Sequence, residues 1–310
     1  MTRAGFVAVI GAPNAGKSTL VNRLVGSKVS IVTRKVQTTR FSVRGVALEG
    51  DAQMVLVDTP GIFAPRRRLD RAMVQAAWSG AQDADVVVHI VDAESEDHVL
   101  SDIARGADAL AVKDAEAVAV RLKTVGRKAV LALNKVDCVK KERLLAVTDR
   151  LFDDAVYEDV FMISAARGSG VADLKKRLAA KMPEGPWLYP EDQSADIPMR
   201  LLAAEVTREK IYERVHEELP YSTAVETTSY EERSDGSVKI DQTIFVEREG
   251  QRGILIGKQG ATLKWIGKAA REELTDLLGH PTHLFLHVKV KAGWAEDRGH
   301  FEDLGLDFDA

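Results

Sequence analysis

The eight residues Gly11-Ala12-Pro13-Asn14-Ala15-Gly16-Lys17-Ser18 constrain this chain more than any others. They match the pattern G-x-x-x-x-G-K-[ST] and lie between a short apolar run, Phe6–Ile10, and an amphipathic stretch, Thr19–Val25. A strand that turns through glycines into a helix N-terminus points backbone N–H groups and a favourable dipole at phosphate. Gly11, Asn14, Ala15 and Gly16 are therefore expected to wrap the phosphates of a nucleotide, with Thr19 beside them. Lys17 is expected to reach the β- and γ-phosphates, and the Ser18 hydroxyl to bind Mg²⁺.

The surrounding sequence alternates two textures. Short β-branched runs recur at Met54–Val57, Val86–Val91, Ala129–Leu133 and Val160–Ile163, separated by amphipathic segments such as Leu69–Trp78 and Asp173–Lys181. This pattern predicts an α/β P-loop domain over residues 1–182, doubly wound around a mostly parallel sheet. A less apolar strand after Phe41 suits an antiparallel edge. Pro183, Pro186, Pro190 and Pro198 then mark residues 183–198 as a proline-rich linker.

Residues 199–310 read as a smaller α+β module. The expected order is a helix over Arg200–Glu218, strands over Thr223–Tyr230 and Val238–Glu247, and a short apolar–glycine segment over Gly253–Gly260. A helix over Ala261–Leu278 and a strand over His283–Val290 follow, for the order helix-strand-strand-helix-helix-strand.

Composition closes off several classes. Apolar residues make up 45% and charged residues 29%, enough for a packed core. The single cysteine, Cys138, rules out an internal disulfide framework or a cysteine cage for a metal. No apolar run approaches the roughly 20 residues that span a bilayer, and the N-terminus lacks the look of a signal peptide. A cytoplasmic protein is expected. His280, His283 and His287 have no Cys or carboxylate cluster beside them, so they do not suggest a metal site. The acidic tail from Glu302 to Asp309 is expected to be solvated.

Asn134-Lys135-Val136-Asp137 selects the base. It follows a buried strand on the side where open α/β sheets bind ligands. The Asp137 carboxylate can accept both N–H groups on the edge of guanine, which adenine lacks, and sites of that kind discriminate by about 10⁴-fold. Asn134 would brace the loop and the base, and the Lys135 stem would cover the ring. Ser164-Ala165-Ala166, after the last strand of the domain, would supply a backbone N–H to guanine O6. Asp58-Thr59-Pro60-Gly61 ends another strand. Asp58 would hold Mg²⁺ through water, and the Gly61 N–H would sense the γ-phosphate. Of Thr38 and Thr39 in the preceding loop, Thr39 is expected to complete the Mg²⁺ shell when a triphosphate is present. Lys17, Thr39, Asp58 and Gly61 thus form the expected catalytic set. Where signalling GTPases place a water-orienting glutamine, this chain has Ile62, which predicts slow intrinsic turnover and a need for outside help. Arg66-Arg67-Arg68 follow in a solvated loop.

In the second module, Gly257-Lys258-Gln259-Gly260 is a G-x-x-G loop, a form that clamps about four single-stranded nucleotides in KH folds. Lys264, Lys268 and Arg271 share one helix face, opposite a stripe of Leu263, Ile266, Ala270, Leu274 and Leu277. The net charge of −4 argues against an indiscriminate polyanion binder. Residues 199–310 are the more acidic part, with 15 Lys and Arg against 21 Asp and Glu. Yet residues 251–271 hold five basic side chains, Arg252, Lys258, Lys264, Lys268 and Arg271, and no acid. That composition suits a narrow RNA track.

Taken in order, these motifs resemble the Era family of bacterial GTPases, which carry a C-terminal type II KH domain. The likeness spans nearly the whole chain. It includes Gln37–Arg40, Leu219-Pro220-Tyr221, Val246–Gly250 and Val288–Lys291 followed by Trp294. The resemblance implies a ribosome-assembly factor whose KH domain binds the 3′ end of 16S ribosomal RNA and assists maturation of the small ribosomal subunit. It also implies a cytoplasmic protein with peripheral association at the inner membrane, and K⁺ near Asn14, which partly replaces the glutamine missing at Ile62. A monomer is expected. One departure stands out: between Asp92 and Asn134 lie roughly a dozen residues beyond the family's usual length, including the alanine-rich Ala104–Val120, expected as an extended helix or surface excursion. Besides a primarily membrane-acting GTPase, disfavoured by the lack of an anchor, two further readings compete. One is an RNA chaperone in which GTP is mainly a structural ligand. The other, a small-molecule kinase, is disfavoured by Asn134–Asp137.

Overall fold

The computed structural model describes residues 1–33, 35, 38–215 and 219–310. Gln37 and the expected helix end at Glu218 lie outside these described residues. Two compact units are present: Met1–Ser30 with Thr39–Asp196 and Asp309–Ala310, and Ile31–Thr38 with Ile197–Phe308.

The first unit runs β1 (Arg3–Ile10), α1 (Lys17–Val25), β2 (Val43–Glu49), β3 (Ala52–Asp58), α2 (Arg68–Asp83), β4 (Val86–Asp92), α3 (Ala93–Leu100) and α4 (Gly106–Thr124). It continues through β5 (Ala129–Asn134), α5 (Lys141–Leu151), β6 (Tyr157–Met162), α6 (Val171–Ala180) and β7 (Ala195–Asp196). Its seven-stranded sheet has the order β6-β5-β4-β1-β3-β2-β7. Strands β1, β3, β4, β5 and β6 are parallel, and β2 runs antiparallel to β3, as its lower apolar content suggested. All six residues of β5 are buried, as expected of a strand covered on both faces. Most of the alanine-rich stretch lies in α4. Val112, Ala115, Val118 and Leu122 turn inward, and the last three pack with Ile10, Trp78 and Leu131, so this helix is part of the core.

The proline-rich stretch does not hang free. Pro183 O accepts the Ala4 N–H at 3.0 Å, and Trp187 Nε1 donates to Asp51 O at 3.1 Å. The buried side chain of Gln53 accepts the Leu188 and Tyr189 N–H groups at 2.8 and 2.9 Å and donates to Tyr189 O at 2.8 Å. Strand β7 then pairs antiparallel with β2. An open sheet edge and an interior amide both need partners, and an extended chain supplies them.

The second unit runs α7 (Met199–Arg214), β8 (Thr223–Glu232), β9 (Val238–Val246), α8 (Glu249–Ile256), α9 (Ala261–Leu278), β10 (Thr282–Val290) and α10 (Arg298–Asp303). Its sheet has the order β10-β9-β8, with β10 parallel and β8 antiparallel to β9. Val206 of α7 and Ala270 and Leu274 of α9 pack with Val238 and Ile240 of β9, so the helices cover one sheet face. Helix α8 is the first of the two successive helices in the expected order, but it starts at Glu249, ahead of the expected Gly253–Gly260 segment. Gly250 and Gly253 weaken helix propensity, but Gln251 Oε1 secures its start by accepting the Glu247 and Arg248 N–H groups at 2.9 and 3.1 Å. Val32 and Thr38 join this unit through α7: Glu209 accepts the Val32 N–H at 2.8 Å, and Arg208 donates to Thr38 O.

Candidate functional site

The phosphate loop joins β1 to α1, as its glycines dictate. Gly16 is at φ 104°, and a Cβ there would lie 2.2 Å from Asn134 Nδ2, so only glycine fits. Asn134 spans two loops. Its Nδ2 donates to Ala15 O at 2.7 Å and its Oδ1 accepts the Ala165 N–H at 2.9 Å. One side chain thus ties the phosphate loop to the 164–166 loop. Lys17 is buried, and its Nζ donates to Gly11 O and Ala12 O at 3.1 and 2.8 Å. Burial pulls its pKa down to about 8, against the opposing charge of Asp58.

Ser18, Thr39 and Asp58 come together from α1, the following loop and the end of β3. Ser18 Oγ and Thr39 Oγ1 are 2.9 Å apart, and Thr39 Oγ1 donates to Asp58 Oδ2 at 3.4 Å. Asp58 Oδ1 is buried with no hydrogen-bond partner among the described residues. Burial pushes the Asp58 carboxyl upward, opposed by Ser18, Lys17 and Thr39. Two hydroxyls and a carboxylate with an unused oxygen form a hard-oxygen set that suits Mg²⁺. The Gly61 N–H makes no hydrogen bond among the described residues, whereas the Ile62 N–H donates to Gly11 O at 3.0 Å. The Ile62 side chain is buried with Ile10, Ala77 and Trp78.

On the base side, Asp137 follows β5 in a single 3-10 turn, and its Oδ2 lies 2.9 Å from Nε of the exposed Arg167. In Ser164-Ala165-Ala166, the Ser164 N–H donates to Ser169 O, and the Ala165 N–H is taken by Asn134. The exposed Ala166 keeps an N–H with no partner among the described residues. Sequence reasoning missed two supports of this region. Arg23, near the end of α1, donates to Ala165 O at 3.2 Å and to Ala166 O at 2.5 Å. Asn22 beside it accepts the Val29 and Ser30 N–H groups, both at 2.9 Å. No local signature marks a partner 142 residues away. Asp92, which reaches Lys135, was also passed over, although its place at the C-terminal end of a parallel strand was a usable signal. Arg66 and Arg67 are exposed at the start of α2.

In the second unit, the G-x-x-G loop forms a tight turn between α8 and α9. Gly257 is at φ 72°, and a Cβ there would lie 2.3 Å from Thr262 Oγ1 and 2.8 Å from Thr262 Cβ. Gln259 at φ 54° and Gly260 at φ 77° complete the turn. Lys258 and Gln259 are exposed, as are Arg252, Lys264, Lys268 and Arg271, while Ile266, Ala270 and Leu274 face the core. The acid-free window of the sequence is not acid-free in space: Arg252 pairs with Glu249 at 3.3 Å and Lys268 with Glu272 at 3.8 Å.

A family model described as a 50S ribosome-binding GTPase matches residues 6–135, and a KH-domain model matches residues 218–295. GTPase Era of Caulobacter vibrioides (strain NA1000 / CB15N) is 66% identical over 308 residues, covering 99% of this chain and 98% of the relative. GTPase Era of Maricaulis maris (strain MCS10) is 56% identical over 307 residues, with the same coverage. Among solved structures, Era in complex with MgGDPNP and nucleotides 1506–1542 of 16S ribosomal RNA is similar at a TM-score of 0.88 and 35% identity, covering 98% of this chain and 99% of that one. An Aquifex aeolicus Era variant bound to GDP.AlF4⁻ is similar at a TM-score of 0.87 and 36% identity, with the same coverage.

Proposed function

Since the chain belongs to the Era family of GTPases, we propose that its GTP hydrolysis drives a switch on a KH domain that binds the 3′ end of 16S ribosomal RNA and assists maturation of the small ribosomal subunit. The observation that carries this reading is the meeting of Ser18, Thr39 and Asp58 beside the unengaged Gly61 N–H. A nucleotide kept only as a structural ligand needs no group that distinguishes triphosphate from diphosphate. Ser18, Thr39 and Asp58 would hold Mg²⁺, which neutralises phosphate charge when bound. Lys17 adds a positive charge at the phosphates, Asn134 holds the two loops in register, and Asp137 and Ala166 read the guanine edge. K⁺ beside Asn14 belongs to the same reading and rests on the resemblance of the phosphate loop alone.

The RNA half rests on the G-x-x-G turn with its exposed cations and on the similarity to an Era solved with 16S RNA. The description of the GTPase family model names the large subunit. It matches only part of the first unit, whereas the RNA-bound Era corresponds to both units, so we follow the latter. The proposal extends to the cytoplasm with peripheral contact at the inner membrane. No helix of the described residues is long and apolar enough to cross a membrane.

The test is GTP turnover by the full chain with and without an oligonucleotide of the 16S 3′ end. The switch reading expects a higher rate with RNA. An unchanged rate favours a chaperone that keeps GTP as a structural ligand.

Lys17 adds a pH signature. Nucleotide phosphates favour its ammonium form, so its pKa rises on binding from about 8 in the free protein. Below pH 8 the lysine is already charged and GDP affinity is flat. Above it, binding must take up a proton, and Kd rises by about tenfold per pH unit at most, until the pKa of the complex is reached. Calorimetric titration between pH 7 and 9.5, in buffers of different ionisation enthalpy, checks both the slope and the proton. A flat Kd over that range would rule it out.

A further inference from the structure

Asp92 ends β4 and lies opposite Asn134 in the register between β4 and β5. It is therefore at the carboxyl edge of the sheet, where ligands of open α/β sheets gather. Its side chain is mostly buried and both oxygens are in use. Oδ1 accepts the Glu94 and Ser95 N–H groups at 3.1 and 3.4 Å and so caps α3. Oδ2 accepts Lys135 Nζ at 2.5 Å and lies 3.2 Å from Ser95 Oγ.

The cap alone does not account for the second oxygen. Lys135 departs from the backbone at φ 64°, a left-handed conformation uncommon outside glycine, with four rotatable carbons before its charge. Left alone, such a side chain samples many rotamers, and ordering it on ligand binding weakens affinity. The ion pair to Asp92 fixes its far end beforehand. The anchor is itself braced. Ser95 Oγ is also 3.1 Å from Asp108 Oδ1, and Asp108 Oδ2 lies 3.2 Å from His98 Nδ1 and accepts the Arg105 N–H at 2.9 Å. That set ties the α3 side of the base region to the start of α4.

We propose that Asp92 is a positioning residue for guanine-nucleotide binding, acting through Lys135 by holding its stem extended before the nucleotide arrives. The proposal rests on the guanine reading of Asn134–Asp137.

A double-mutant cycle on the full chain tests it, with fluorescently labelled GDP as the probe. Asp92→Asn keeps an oxygen to cap α3 but removes the charge that holds Lys135, and Lys135→Ala removes the partner. The expected result is a loss of about three- to tenfold in GDP affinity for Asp92→Asn. In the Lys135→Ala background, Asp92→Asn should cause no further loss, because it has nothing left to position. Asp92→Glu, which keeps the charge, should recover part of the loss. Unchanged affinity for Asp92→Asn, or losses that multiply independently, would overturn the proposal. Should Asp92→Asn fold poorly, Asp92→Ser, which also caps α3 without the charge, must show the same loss. If instead Asp137→Asn leaves GTP binding unchanged, the guanine reading has failed. If Asp137→Asn behaves as expected and the cycle is additive, only the role of Asp92 falls.

Discussion

Asp137→Asn lowers affinity for GTP and GDP by about 10⁴-fold and brings xanthosine nucleotides into the working range. The carboxylate is a pure acceptor and meets two donors on guanine, whereas an asparagine amide turns one acceptor into a donor. Xanthine offers a carbonyl where guanine has its amino group, so the variant and the altered base match each other. In the structure Asp137 is engaged with Arg167, whose side chain is 71% exposed. An ion pair that open to water contributes about 0–1 kcal/mol, so guanine displaces it at little cost. Competition of GTP and XTP against a labelled nucleotide measures the switch. If GTP binds the variant as tightly as the parent, the base-reading role of Asp137 is wrong.

Ile62→Gln gains no GTP turnover and loses about 3–5 kcal/mol of stability in the first unit. The simple expectation from signalling GTPases is the reverse, since glutamine at this position orients water. Here the backbone decides. The Ile62 N–H is tied to Gly11 O, and its side chain is only 6% exposed, packed with Ile10, Ala77 and Trp78. A glutamine on the same backbone points into the core, where its amide lacks partners and the apolar contacts are gone. Single-turnover hydrolysis and thermal unfolding measure the two effects. A variant that hydrolyses GTP faster than its parent would show that this side chain can swing toward the phosphates after all.

Both results separate what the chain discloses locally from what it does not. The phosphate loop was legible because a phosphate cradle needs particular residue types at consecutive positions. The alternating buried strands were legible because a sheet covered on both faces leaves a period that no loop imitates. The N-K-V-D turn was legible for the same local reason. That Ile62 lacks a polar group is visible in sequence, but its burial is not, because burial depends on Trp78 and Ile10 arriving from elsewhere. Nothing local in Ser164-Ala165-Ala166 shows which of its amides the protein itself engages, because Asn134 and Ser169 take them from elsewhere in the fold. Arg23 gave no sign, since a lone arginine at a helix end most often faces water. The place of helix α8 in the order was legible, but its start at Glu249 was obscured by its glycines and is set by one glutamine cap. In the basic window, sequence counted charges along the chain, whereas Glu249 and Glu272 answer Arg252 and Lys268 across a helix turn.

The packing of residues 183–196 bears on where this protein can be cut. Prolines invite a break after Met182, yet a fragment ending there would strip Gln53 of three hydrogen bonds and uncover the outer backbone of β2. A bared strand of that kind is a template for self-association. Ending after Asp196 retains the strap. The GTPase unit, as a piece that can be expressed and weighed by itself, is therefore about a strand longer than its motifs suggest.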